Sequence, residues 1–78
     1  MSPEGSPIRN NIRRLRFENG ELTQAELAER IGVTRQTVIA IEQGRYSPSL
    51  ELAFQIAHVL NVPLDDVFQY PDFEGEAP

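Results

Sequence analysis

The sequence contains no cysteine, which removes disulfides and thiolate metal sites from consideration. It has one histidine, His58, so no histidine cluster is available to hold a metal. Glu51, Gln55 and His58 recur at i, i+4, i+7 on one helix face. With no second histidine or cysteine to complete a ligand set, that face is read as solvated, and neither a metal nor any other cofactor is expected. No apolar run approaches the roughly 20 residues of a membrane span. The N-terminal "MSPEGSPIRNN" lacks the basic start and apolar stretch of a secretion signal, so a cytoplasmic location is expected. Nothing sets a nucleophile, a base and an orienting group together, and no phosphate-cradling loop appears, so an enzyme is not expected. Asp65 and Asp66 stand at the start of a short helix, where carboxylates favour the helix dipole. Lysine is absent: all seven cations are arginine. Arginine pairs bidentately with phosphate and guanine, but genome composition or salt adaptation produces the same bias, so this usage decides nothing.

At 78 residues the chain has room for one small core. Its net charge of −5 argues against a polyanionic partner until the distribution is examined. Between Ser6 and Leu64 there are seven arginines and six glutamates, an excess of one positive charge; six further acids at the two ends bring the total to −5. Global charge governs solubility and steering, not the face that binds.

Punctuation divides the chain into five short helices, and no segment shows the period-two alternation of a strand. The spacing predicts a first helix from Pro7 to Asn19, capped by Ser6, with Ile8, Ile12 and Leu15 as its buried stripe and Gly20 as its stop. Arg9, Arg13 and Arg14 fall off that stripe, and at least two of them are read as a solvated helix face. A second helix opens with "TQAE", in which Thr23 and Glu26 have the spacing of a capping box. It buries Leu27 and Ile31 and stops at Gly32. A third runs from Thr34 to about Gln43, with Val38 and Ile41 inward, and Gly44 closes it. Ser49 caps a fourth, which carries Leu50, Ala53, Ile56, Ala57 and Leu60 and stops at Asn61. "VPLDDVF" is a short fifth helix begun at Pro63. Residues 1–6 are expected to be a disordered tail, residues 7–70 the folded domain, and the acidic, proline-punctuated residues 71–78 a flexible tail.

Gly32, Val33 and Thr34 join two short helices at a steep angle, as a helix-turn-helix requires. Gly32 permits the bend, Val33 plugs the inside of the corner, Thr34 caps the next helix, and small Ala28 lets the two helices approach. "TQAELAERIGVTRQTVIAIEQG" (Thr23 to Gly44) resembles the helix-turn-helix of the phage repressor and Cro family, the xenobiotic-response-element regulators. "IRRLRFENGELTQ" is similar to that family's first helix, and "GRYSPSLELAFQIAHVLNVPLDDVF" to its fourth and fifth. "FENGELTQ" is one residue longer before Thr23 than the commonest family form. The resemblance implies an all-α, five-helix, lambda-repressor-like DNA-binding domain.

It also implies that the third helix enters the major groove. Arg35, Gln36, Thr37 and Ala40 would face the bases. Arg pairs with guanine and Gln with adenine, while Ala40 permits close approach. Ile39 either touches thymine methyls or sits at the edge of the core. Gln24 matches the family's phosphate-binding glutamine, and Thr34, Gln43, Arg45, Tyr46 and Ser47 are the other expected phosphate contacts. The family pairs an arginine late in the first helix with a glutamate late in the third, here Arg16 with Glu42. A regulator of this size reads more sequence as a symmetric pair, so a homodimer is expected through Leu64, Val67, Phe68 and Tyr70, with Phe54 and Phe73 nearby. The competing reading is that Val67 and Phe68 only complete the monomer core. The expected partners are therefore double-stranded DNA and a second copy, with no membrane and no small-molecule ligand. The leading function is a DNA-binding transcriptional regulator that represses by occupying an operator. The alternatives are the DNA-binding antitoxin of a toxin pair, or an interaction module that kept the fold and lost DNA binding.

Overall fold

The structure is a computed structural model that describes residues 7–70. The tails expected at 1–6 and 71–78, the Ser6 cap and Phe73 lie outside the described residues. The elements run β1 (Arg9–Asn10), α1 (Ile12–Glu18), α2 (Gln24–Ile31), α3 (Arg35–Glu42), α4 (Leu50–Leu60), α5 (Leu64–Val67) and β2 (Phe68–Gln69).

The expectation of a helix from Pro7 fails. α1 begins only at Ile12, and Arg9 and Asn10 pair antiparallel with Gln69 and Phe68. The cause lies in "NN". Asparagine side chains compete with helix formation by bonding to nearby backbone. Asn10 Oδ1 accepts the Ile12 N–H at 3.1 Å, while its Nδ2 donates to the Ile41 carbonyl at 3.0 Å. Asn11 Nδ2 donates to the Asp66 carbonyl at 3.0 Å, and the Asn11 N–H donates to the Val67 carbonyl at 2.9 Å. These bonds draw residues 9–11 out of the helix and onto α3 and residues 66–69. Ile8 is therefore half-buried beside the ladder and not part of a helical stripe, whereas Ile12 and Leu15 are buried as expected. The expectation of no strand is corrected by the same pairing.

The remaining helices follow local chemistry. Thr23 accepts from the Glu26 N–H while the Glu26 carboxylate accepts from the Thr23 N–H, so the capping box is complete. Gly32 takes the left-handed conformation, φ +76°, and ends α2. The next helix is capped two residues later, where Thr34 Oγ1 accepts the Thr37 N–H at 3.2 Å. Ser49 caps α4, and Asn61 ends it in the left-handed region at φ +62°. Asn19, the C-cap of α1, reaches across to donate to the Leu60 carbonyl at the end of α4, at 2.9 Å.

One core holds these pieces together. Ile12 and Leu15 from α1, Leu27, Ala28 and Ile31 from α2, and Val38 and Ile41 from α3 meet Ile56, Ala57 and Leu60 from α4. Val67 closes the cluster and is 0% exposed. No helix among the described residues is long and apolar enough to cross a membrane.

Candidate nucleic-acid interface

The bend at Gly32 sets the first turn of α3 at the surface. Val38 and Ile41 fix its inner side in the core; Arg35 and Gln36 are exposed, and Thr37, Ile39 and Ala40 are half-buried. None of these five side chains is consumed by the core. Two guanidinium- or amide-bearing side chains therefore project from a helix start whose backbone is already capped. The Thr34 and Thr37 hydroxyls lie 3.0 Å apart and share one hydrogen. One of the two hydroxyl protons stays available to an outside acceptor.

The angle of α3 is held by a charged lock beneath it. Arg16 Nε donates to Glu42 Oε2 at 2.6 Å and Arg16 Nη2 to Glu42 Oε1 at 3.3 Å, a two-point contact between the end of α1 and the end of α3. The side chains are only 14% and 8% exposed. Arg16 Nη1 also donates to the Leu22 carbonyl at 2.8 Å, so the loop before α2 is tied to the same guanidinium. Gln24 joins from α2: its Nε2 donates to Glu42 Oε1 at 3.1 Å. This amide, expected to meet phosphate, is thereby oriented by the ion pair, with one N–H and its carbonyl uncommitted. Asn10 completes the support from the far side, because the carbonyls it caps belong to Ile41 and Glu42.

On the other flank, Arg45 Nε donates to Gln43 Oε1 at 2.9 Å, linking two of the expected phosphate contacts just past α3. Tyr46 and Ser47 follow, both exposed. Between α1, the start of α2 and α3 lies an open cleft of about 970 Å³, walled by Arg13, Phe17, Glu21, Gln24, Arg35 and Gln43 among others. The structure thus brings Gln24, Arg35 and Gln43 around one concavity. Arg45, Tyr46 and Ser47 do not line it; they lie beyond the end of α3.

Reasoning from sequence missed Asn10, Phe17 and Glu21. Asn10 carried a signal in the paired asparagines, good helix-start residues that also favour non-helical backbone. Phe17 carried one too, as an aromatic off the buried stripe; it is 68% exposed. The Glu26 carboxyl is held below its ordinary value, chiefly by the hydrogen bond from the Thr23 backbone, then by the Thr23 side chain.

The expected pairing surface needs one correction. Val67 is fully buried within the monomer core and offers nothing to a second copy. Leu64 and Phe68 are half-buried, packed against the core on one side and lining an apolar groove of about 560 Å³ on the other, with Ile8, Pro48, Leu50 and Asp65. Leu50, Phe54 and Tyr70 are 68%, 54% and 51% exposed.

The sequence matches the helix-turn-helix family over residues 12–67. It is 57% identical over 53 residues to MJ0272 of Methanocaldococcus jannaschii, an uncharacterised HTH-type transcriptional regulator, covering 68% of this chain and 80% of that protein. It is 40% identical over 58 residues to the cryptic phage CTXphi transcriptional repressor RstR of Vibrio cholerae, covering 74% of this chain and 51% of that one. A crystal structure of a candidate DNA-binding protein from Bacteroides fragilis superposes with a TM-score of 0.72 at 26% identity, covering 80% of this chain and 98% of that one.

Proposed function

The chain belongs to the helix-turn-helix family and is a DNA-binding transcriptional regulator, and from that premise we propose that it is a cytoplasmic, dimeric repressor that reads its operator with α3. The observation that carries this reading is the exposed start of α3, with Arg35 and Gln36 projecting while Val38 and Ile41 hold the helix in the core. In a major groove, Arg35 pairs with guanine O6 and N7, and Gln36 with adenine N6 and N7. Ala40 and Thr37 let the helix approach, and Ile39 lies against a thymine methyl or the sugar edge. Gln24 and Thr34 at the helix starts, and Gln43, Arg45, Tyr46 and Ser47 past the end of α3, hold phosphates and set the register. The largely buried pair of Arg16 and Glu42 keeps α3 at its angle. Base contacts then give sequence preference, and occupancy of the site blocks transcription. The similarity to a phage protein named as a transcriptional repressor supports repression over activation.

A second copy makes the footprint long enough to be selective. Leu50, Phe54 and Tyr70, with the groove flanked by Leu64 and Phe68, supply apolar surface for it. Selection of bound fragments from genomic DNA tests the whole reading. The expected product is a palindrome whose half-sites lie one helical turn, about 34 Å, apart. Enrichment of no shared sequence, or of an asymmetric single half-site, counts against it.

A further inference from the structure

The cleft beside α3 contains an acid where a polyanion is expected to pass. Arg13, Phe17 and Glu21 stand four residues apart along α1 and the loop after it, and all three wall the cleft that Arg35 also lines. Two of the cleft's arginines have their charge engaged. Arg14 pairs with Glu18 at 3.2 Å, and Arg16 pairs with Glu42. Among the described residues, Arg13 and Arg35 are then the cleft's guanidiniums without an ion pair, and Glu21 is its acid whose carboxylate makes no hydrogen bond or ion pair. One carboxylate offsets one of two free cations.

The backbone places this acid deliberately far from a helical position. Gly20 and Glu21 are both left-handed, at φ +75° and +57°, and the Glu21 N–H donates to the Phe17 carbonyl at 3.1 Å. Glycine and asparagine take that conformation at lowest cost, and glutamate is not among the favoured residues. Local conformation therefore does not account for a glutamate here, and the side chain makes no internal contact that does.

We propose that Glu21 is an electrostatic brake on DNA binding: its carboxylate repels the phosphate backbone entering the cleft and sets affinity below what Arg13 and Arg35 would otherwise give. The inference rests on the cleft being part of the DNA-facing surface. A charge acting on phosphates affects all sequences alike, unlike a base contact. The brake therefore weakens random-sequence and operator binding together, and acts most at low salt.

The test is a salt titration of binding to a random-sequence duplex for the full chain, Glu21→Gln and Glu29→Gln. Glu29 is exposed on α2, outside both the cleft and the apolar groove, and its replacement changes net charge by the same amount. The expected result is that Glu21→Gln binds roughly two- to tenfold tighter at low salt, with a salt slope steeper by up to about one, while Glu29→Gln matches wild type. Equal binding by Glu21→Gln and wild type overturns the brake alone. So does an equal gain in Glu29→Gln, which would reduce the effect to net charge. A wild-type chain that binds no duplex at low salt overturns the DNA-facing cleft, and the brake with it.

Discussion

Glu42 is held by three donors, two from Arg16 and one from Gln24, at only 8% side-chain exposure. Removing Arg16 leaves a nearly buried carboxylate with a single amide partner and strands the Leu22 carbonyl. Breaking a buried pair in this way costs about 3–5 kcal/mol, much of a domain this size's total stability. Arg16→Ala is expected to shift the urea midpoint by that amount or unfold the chain outright. Arg35 is the contrasting case: exposed, with no partner among the described residues. Arg35→Ala is expected to leave the urea midpoint unchanged, weaken operator binding by about 1–3 kcal/mol and relax one position of the site. If the two substitutions behave alike in both assays, the division between support and reading is wrong. Both residues were legible in the sequence by resemblance and spacing. The third donor was not, because Gln24's bond to Glu42 depends on how α2 meets α3, and no local rule encodes that.

Elements whose ends are set by neighbouring residues could be read directly. The Thr23–Glu26 box, the Thr34 and Ser49 caps and the Gly32 stop each close within four residues of chain. The start of α1 could not, since the groups that decide it lie 31 and 55 residues away, at Ile41 and Asp66. The turn gives a clean test. A β-carbon at residue 32 meets nothing within 4 Å, so the only obstacle is φ +76°. Gly32→Ala is expected to cost about 1–2 kcal/mol and Gly32→Asn less, since asparagine tolerates the left-handed region. A larger loss for both in thermal denaturation would mean that close packing, not conformation, requires glycine. The capping box adds a pH signature. Glu26's folded pKa is lowered, so its contribution is complete above the ordinary glutamate range and disappears as pH falls through the lowered value. The difference in melting temperature between wild type and Glu26→Gln is therefore expected to shrink between neutral pH and pH ~3. A gap that stays constant would remove the carboxylate's role as a charged cap.

At the scale of the whole molecule, opposite charges occupy opposite jobs. Arg13 and Arg35 border the cleft, whereas Asp65 borders the apolar groove, with Asp66 and Glu51 adjacent in sequence to its lining residues. The sequence pointed to an apolar C-terminal segment but could not separate its inward from its outward residues. Val67 closes the core because the turn of α5 aims it there, and Leu50, three-dimensionally beside Leu64 across the groove, belongs to a different helix. If the groove joins two copies, raising salt has two opposed effects. It screens the like-charged rims and favours pairing, while it weakens phosphate contacts and lowers DNA affinity. Sedimentation without DNA is then expected to show the dimer unchanged or stronger between about 0.05 and 0.2 M salt, across the range where operator binding falls. Leu50→Glu separates the interface from the fold. Leu50 is 68% exposed at the first position of α4, where an acid suits the helix dipole, so monomer stability should change by less than about 0.5 kcal/mol. The added charge on each copy should nevertheless abolish the dimer and leave only weak half-site binding. A Leu50→Glu chain that sediments as a dimer would move the contact elsewhere and leave this groove without its proposed partner.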